Sequence, residues 1–302
     1  MILEVKNLYI DFLIEHKYYQ VVRDLNFNLQ HGNVLGIVGE SGCGKTVSAL
    51  SIMRLLPSTI SKIQGGQILF ENIDLLQIPV SQMHTIRGRS ISMIFQEPLS
   101  ALNPVYSIGH QVKEIYNLHF PHLSQKQIYE SIYNLCNECV VSDIDMRLKS
   151  YPHQLSGGIR QRIMLVMAFA CNPKILIADE PTTALDVTLQ AQILNLMIRL
   201  KQKRNMSIIF ITHDLSIIAN IADDVLVMYG GLQMEYASSS IIFSSPLHPY
   251  TKGLLQSIPH LKLSHKSKLH TIKGYVPAIS KLNKGCPFYG RCEFAVENKC
   301  KD

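Results

Sequence analysis

The octapeptide Gly39-Glu40-Ser41-Gly42-Cys43-Gly44-Lys45-Thr46 constrains this chain more than any other segment. It fits G-x-x-x-x-G-K-[ST], follows the apolar run Val34 to Val38, and opens a stretch from Val47 to Leu56 with helix-compatible spacing. A buried strand that turns through glycines into a helix aims successive backbone N–H groups and the helix N-terminus at one point, which makes an anion site. The bland alternative is a tight glycine turn with a surface lysine, and the strand-and-helix context argues against it. Gly39 through Val47 are therefore expected to surround the phosphates of a nucleotide. Lys45 is expected to reach the β and γ phosphates, and Thr46 to ligate Mg²⁺ through its hydroxyl. Pro57 is expected to close the helix.

The rest of the sequence predicts an α/β framework for that loop. Leu3, Val5, Leu8, Ile10 and Phe12, and then Val21 to Leu29, alternate as antiparallel strands, and Gln67 to Phe70 reads as another. Ile91 to Phe95, Ile175 to Ala178 and Ile208 to Ile211 are fully apolar strands; the helical stretch Leu189 to Lys203 separates the last two, giving a βαβ unit and a parallel sheet. Residues 97–151 read as an inserted helical subdomain. A long apolar helix runs from about Ile159 to Cys171 and ends before Pro173, and Val225 to Tyr229 with Gly231 to Tyr236 reads as a closing hairpin. From Pro246 the chain turns rich in proline, histidine and lysine, which divides it into 1–245 and a C-terminal extension, 246–302.

Composition removes several classes. With 302 residues, 47% apolar and 17% charged, the chain is globular, neither disordered nor a disulfide-stapled miniprotein. Its most apolar stretches, such as Ile163 to Cys171, fall far short of the ~20 residues a spanning helix needs. Met1 to Lys6 lacks the layout of a secretory signal, so a cytoplasmic location with reduced thiols is expected. The net charge of +6 is modest and gives no indication of nucleic acid. Lys262, Lys266, Lys268, Lys273, Lys281 and Lys284 lie in a stretch without carboxylates, either a solvated connector or a segment near anionic lipid headgroups.

A second chemical element answers the first. The strand from Ile175 to Ala178 ends in Asp179 and Glu180, two carboxylates at the end of a buried parallel strand, where α/β sheets place ligands. Asp179 is expected to hold Mg²⁺ through water, and Glu180 to orient and deprotonate an attacking water. Paired acids at a strand end also serve as a helix cap, a role that Pro181-Thr182 would fill poorly.

Between these elements lies Leu155-Ser156-Gly157-Gly158-Ile159-Arg160-Gln161-Arg162, which resembles the signature segment of ATP-binding cassette (ABC) ATPases. The order of motifs matches that family: phosphate loop, glutamine loop (Phe95-Gln96-Glu97-Pro98), signature, Asp-Glu strand, D-loop (Ala184-Leu185-Asp186) and switch histidine (His213). The resemblance implies a P-loop NTPase with a RecA-like parallel core, an antiparallel N-terminal β subdomain and an inserted helical subdomain. It implies that Ser156, Gly157, Gly158 and Asp186 contact a nucleotide held by a partner subunit. It also implies that Gln96 meets Mg²⁺ and water, and that His213 meets the γ-phosphate. Catalysis is then carried by Glu180, His213, Gln96 and Lys45. Ile159 departs from the glutamine common in the family, and the aromatic that stacks on adenine is either Tyr18 or Tyr19.

The C-terminal segment narrows the resemblance. Pro246-Leu247-His248-Pro249-Tyr250 through Leu255, Gly285-Cys286-Pro287-Phe288, Arg291-Cys292 and Cys300 resemble the extension of importer ATPases for oligopeptides, dipeptides or nickel. This implies an ATP-hydrolysing subunit, peripheral on the cytoplasmic face of the inner or plasma membrane, that energises import of a peptide-class solute. Nickel or another solute is the alternative cargo. The implied partners are a second, related ATPase subunit, two membrane permeases and an external solute-binding protein. Cys286, Cys292 and Cys300 suit an iron-sulfur cluster or zinc if a fourth ligand comes from elsewhere, or are reduced structural thiols. A non-transport ATPase acting on nucleic acid or ribosomes predicts a coiled-coil insertion or a tandem cassette, and the sequence has neither.

Overall fold

The computed structural model describes residues 1–96, 101–183, 185–258, 271–282 and 285–301. The expectations on Glu97, Pro98, Ala184, Lys262, Lys266, Lys268 and Lys284 lie outside the described residues. The chain divides into two compact units: Met1–Ile78 with Phe210–Asp302, and Pro79–Ile209.

In the first unit, β1 (Leu3–Ile14) and β2 (Lys17–Leu29) pair antiparallel from Leu3↔Leu29 to Ile14↔Lys17. The two-residue loop Glu15-His16 joins them with φ of 47° and 64°, the left-handed pair whose twist matches a hairpin. Neither residue advertises that turn, so the strands run further than their apolar alternation shows. β3 (Val34–Val38) is buried throughout and leads through the glycine loop into α1 (Lys45–Ile52). Pro57 is not what ends this helix. The chain turns earlier, at Arg54 with φ 49°, and the Arg54 guanidinium donates to the carbonyls of Leu75 (3.2 Å) and Ile78 (2.6 Å). β4 (Ser61–Phe70) and β5 (Ile73–Asp74) complete a sheet of order β2-β1-β4-β5. β4 starts well before Gln67 because pairing with β1 extends to Phe12↔Ser61 despite Gly65-Gly66.

The second unit contains α2 (Val80–Ile86), β6 (Ile91–Ile94), α3 (Ile108–His119), α4 (Gln125–Glu138), α5 (Ile144–Lys149), α6 (Gly157–Phe169), β7 (Ile175–Asp179) and α7 (Val187–Arg204). Ser107 caps α3 and a Ser124–Gln127 capping box starts α4, so these helices begin where serine offers an oxygen to free N–H groups. β6 and β7 are fully buried and pair parallel from Ile91↔Ile175 to Ile94↔Ala178. β8 (Ser207–Thr212) begins in this unit and ends in the first.

The first unit resumes with α8 (Leu215–Ile221), β9 (Asp224–Tyr229), β10 (Leu232–Ser238), α9 (Ser239–Ser244), α10 (Pro249–Gln256) and a short C-terminal α11 (Glu297–Cys300). Gly230 and Gly231, with φ of 54° and 81°, form the β9–β10 turn, so β10 starts after Gly231. The second sheet has the order β10-β9-β3-β8-β7-β6, with β3 parallel to β9. In the first unit the glycine loop follows β3 and His213 follows β8; in the second, Gln96 follows β6, and Asp179 and Glu180 lie at the end of β7. Among the described residues no helix is long and apolar enough to cross a membrane.

Candidate nucleotide site

The glycine loop is determined by what surrounds its backbone. A Cβ at Gly39, where φ is 154°, would stand 2.1 Å from the Met228 carbonyl oxygen and 2.8 Å from Cys43 Sγ. Gly44, with φ 101°, passes the Val21 carbonyl where a Cβ would come within 3.2 Å. The motif's first and last glycines are therefore required by close approach and by a backbone conformation that side chains disfavour. Cys43 is fully buried beneath the loop; burial pushes its thiol up while the neighbouring Lys45 ammonium pulls it back. Its carbonyl accepts the Gly231 N–H at 3.2 Å.

Lys45 is only 6% exposed and curls over the loop, donating to the carbonyls of Gly39 (2.7 Å) and Glu40 (3.1 Å). Ser41 and Gly42 stand exposed at the loop's rim, and Thr46 and Val47 are half-buried on the first turn of α1. A buried ammonium at the head of a helix, with glycines around it, is suited to a polyanion. On β2, Tyr18 lies under the Lys62 ammonium (4.7 Å) and Tyr19 under that of Lys17 (5.5 Å), and neither tyrosine is a core residue. His213 is exposed at the turn from β8 to α8, where Asp214 caps the helix by accepting the Ser216 N–H at 2.8 Å.

In the second unit, Asp179 ends β7 with 1% exposure. Glu180 follows with φ 45°, a left-handed conformation costing a non-glycine residue about 1–3 kcal/mol, a kind of strain that clusters at functional sites. Thr183 holds it, its hydroxyl donating to Glu180 Oε2 at 3.0 Å. The buried amide of Gln161, on α6, donates to the Pro181 carbonyl and so fixes the segment after Glu180 to the signature helix. Gln96 is exposed just beyond β6. The Thr46 hydroxyl in the first unit, and the Gln96 amide oxygen and Asp179 carboxylate in the second, are each hard oxygen donors of the kind that suits Mg²⁺.

Ser156, Gly157, Gly158 and Asp186 are brought together. They line one open depression of about 690 Å³ with Arg162 and Leu189. Asp186 caps α7, its Oδ1 accepting the Leu189 N–H at 2.9 Å. A Cβ at Gly158 would press on Leu189 at 3.0 Å, whereas one at Gly157 would meet nothing within 4 Å. The chain's own packing thus gives no reason for Gly157; the space before the helix is open.

The three C-terminal cysteines behave differently. The Cys286 N–H donates to the Cys300 carbonyl at 2.9 Å, and burial pushes the Cys286 thiol up. Yet no group of three or more His, Cys, Asp or Glu is placed to hold a metal ion among the described residues. The iron-sulfur or zinc expectation for Cys286, Cys292 and Cys300 therefore finds no support in their arrangement.

Sequence reasoning missed the partners of Glu40. Tyr250, which the sequence allows to be an exposed turn residue, is fully buried, and its Oη accepts the Glu40 N–H at 2.9 Å. The local signal was Pro249 in the first turn of α10 behind His248, whose Nδ1 accepts the Tyr250 N–H at 3.1 Å.

A lysine-bearing glycine loop between a buried strand and a helix, on a mostly parallel sheet, defines a phosphate-loop nucleotide-binding protein. Within that class the chain belongs to the ABC transporter family, whose model matches residues 22–183. Residues 234–300 match a second family model, "Oligopeptide/dipeptide transporter, C-terminal region". The chain is 45% identical to the oligopeptide transport ATP-binding protein OppD of Escherichia coli, over 98% of this chain and 87% of that protein. It is 47% identical to the dipeptide transport ATP-binding protein DppD of Bacillus subtilis, over 96% and 86% respectively. Among solved structures, the dimeric bacterial ABC transporter cassette MJ0796 superposes with a TM-score of 0.70 at 23% identity, covering 78% of this chain and 98% of that one.

Proposed function

We propose that this chain binds and hydrolyses ATP to energise import of a peptide-class solute. The observation that carries this reading is the match of residues 234–300 to the oligopeptide/dipeptide transporter C-terminal region, on a chain whose phosphate loop is built around the buried Lys45. Lys45 and the loop N–H groups bind the β and γ phosphates. Glu180, held by Thr183, takes the proton of the attacking water, and His213 and Gln96 orient the γ-phosphate and that water. Mg²⁺, when bound by Thr46, Gln96 and Asp179, supplies charge to offset that developing on the phosphates. Tyr18 or Tyr19 stacks on adenine.

The open depression at Ser156, Gly157, Gly158 and Asp186 supports a head-to-tail arrangement in which this chain completes the nucleotide site of a second ATPase subunit. Two membrane permeases and an external solute-binding protein complete the assembly, with this chain peripheral on the cytoplasmic face. The names of the relatives favour peptides over nickel.

Glu180→Gln tests the chemistry in the assembled complex: ATP binding is retained and turnover lost. Unchanged hydrolysis would remove Glu180 as the base. Stimulation of ATP turnover by peptides but not Ni²⁺ in the reconstituted transporter is expected; the reverse would assign the chain to nickel uptake.

A further inference from the structure

Glu40, at the second position of the phosphate loop, places a carboxylate beside a site for a polyanion. The structure gives that carboxylate a dedicated partner from the far end of the sequence. Arg291 Nη1 donates to Glu40 Oε2 at 2.7 Å and Arg291 Nη2 to Glu40 Oε1 at 3.2 Å, a two-pronged pair. The guanidinium is itself locked. Its Nε donates to the Lys273 carbonyl (2.9 Å), Nη2 to the Ile272 carbonyl (3.3 Å) and Nη1 to Tyr229 Oη (3.2 Å).

Its surroundings are buried aromatic rings. Arg291 has a side chain only 8% exposed and lies over the rings of Tyr229 (5.7 Å) and Phe288 (6.0 Å). Tyr229, Tyr250 and Phe288 pack edge to face or tilted with centroids 4.7–5.3 Å apart, and Tyr250 Oη takes the Glu40 N–H from below. Both the backbone and the side chain of Glu40 are therefore held by residues of the C-terminal region. The Arg291 guanidinium, although burial opposes its charge, is held more firmly protonated by its bonds to Glu40 and Tyr229.

We propose that Arg291 is a positioning residue for the phosphate loop: by pairing with Glu40 it neutralises and turns aside a carboxylate that would otherwise repel the nucleotide's phosphates. The C-terminal region is then a structural wall of the nucleotide site, besides whatever it does for transport. This rests on the reading of Gly39 to Thr46 as a nucleotide site.

Removing the arginine should weaken nucleotide binding, and then removing the carboxylate should recover part of it. Titration of the purified full chain with a fluorescent ATP analogue is expected to show about a tenfold rise in Kd for Arg291→Gln. The double variant Arg291→Gln with Glu40→Gln should bind at least about threefold more tightly than Arg291→Gln alone. A Kd for Arg291→Gln within twofold of wild type, or a double variant as weak as Arg291→Gln, overturns the proposal, since a purely structural arginine would not be rescued by losing its partner. Hydrogen exchange on the unaltered chain covers the case in which Arg291→Gln does not fold. Because coupling is reciprocal, saturating nucleotide should slow exchange in the Cys286–Cys292 segment, and unchanged exchange there overturns the proposal. An unaltered chain that binds no nucleotide would instead sink the reading of the loop.

Discussion

Lys45 Nζ donates to the Gly39 carbonyl at 2.7 Å, so the cation of the phosphate loop is bonded to the first residue of its own motif. The ammonium is thereby held buried and pre-aimed, and its second bond to the Glu40 carbonyl keeps the loop wound. On the proposed reading, a bound nucleotide asks Lys45 to exchange carbonyl oxygens for phosphate oxygens, a small movement of a flexible stem. Much of the ordering cost is met before the ligand arrives.

That preorganisation rests on Gly39, which yields a first prediction. Gly39→Ala puts a Cβ 2.1 Å from the Met228 carbonyl, a backbone atom of β9 that cannot swing aside, at a φ of 154°. The loop must shift or β9 must. A loss of about 2–4 kcal/mol in unfolding free energy is expected by urea denaturation, with nucleotide binding lost in parallel. Gly42→Ala, where a Cβ meets nothing within 4 Å, should suffer only the penalty of its φ of 80°. Equal stabilities for the two variants would refute the close-approach argument.

The contrast between loop and extension shows what a sequence can disclose. The phosphate loop, Asp179-Glu180 and the signature segment were legible because each is a local pattern whose chemistry and secondary structure coincide. Strand lengths were less so, since Glu15-His16 adopts a hairpin turn without an Asn-Gly or Asp-Gly signal. Helix α1 ended at an arginine in a left-handed conformation, where no proline or glycine marks the stop. The Glu40–Arg291 pair joins residues 251 positions apart and has no periodicity to announce it. The cysteine spacing leaves a metal centre and reduced structural thiols both open, and among the described residues no group of three or more is placed to hold a metal ion.

A second prediction concerns the helices of the second unit. Glu138, at the end of α4, accepts from Lys203 (2.6 Å) and from Arg204, both on α7. Burial pushes its carboxyl up, but the hydrogen bonds and charges of these two cations outweigh it, and the net shift is downward. A lowered folded-state pKa means stability that is fully present above the ordinary carboxylate range and lost as pH falls through the folded value. Glu138→Gln should therefore be less stable than wild type by about 1 kcal/mol at pH 7, with the difference closing below about pH 4. Paired thermal melts across that range check it; a gap that persists unchanged in acid would mean the contribution is not electrostatic.

The last prediction separates folding from assembly at the signature helix. Gly157 starts α6 with no atom within 4 Å of where a Cβ would stand, while Gly158 faces Leu189 at 3.0 Å. Gly157→Ala should leave the isolated chain's stability unchanged to within about 0.5 kcal/mol, because it creates no clash and alanine is the better helix residue. If the open depression receives the phosphates of a nucleotide held by the partner ATPase, however, the added methyl lies where backbone N–H groups must approach an anion. ATP turnover of the assembled complex should then fall about tenfold or more, equivalent to about 1.4 kcal/mol in the barrier. Wild-type turnover in the assembled Gly157→Ala complex would count against a nucleotide in that depression, and a destabilised isolated chain would show that the glycine serves the fold after all.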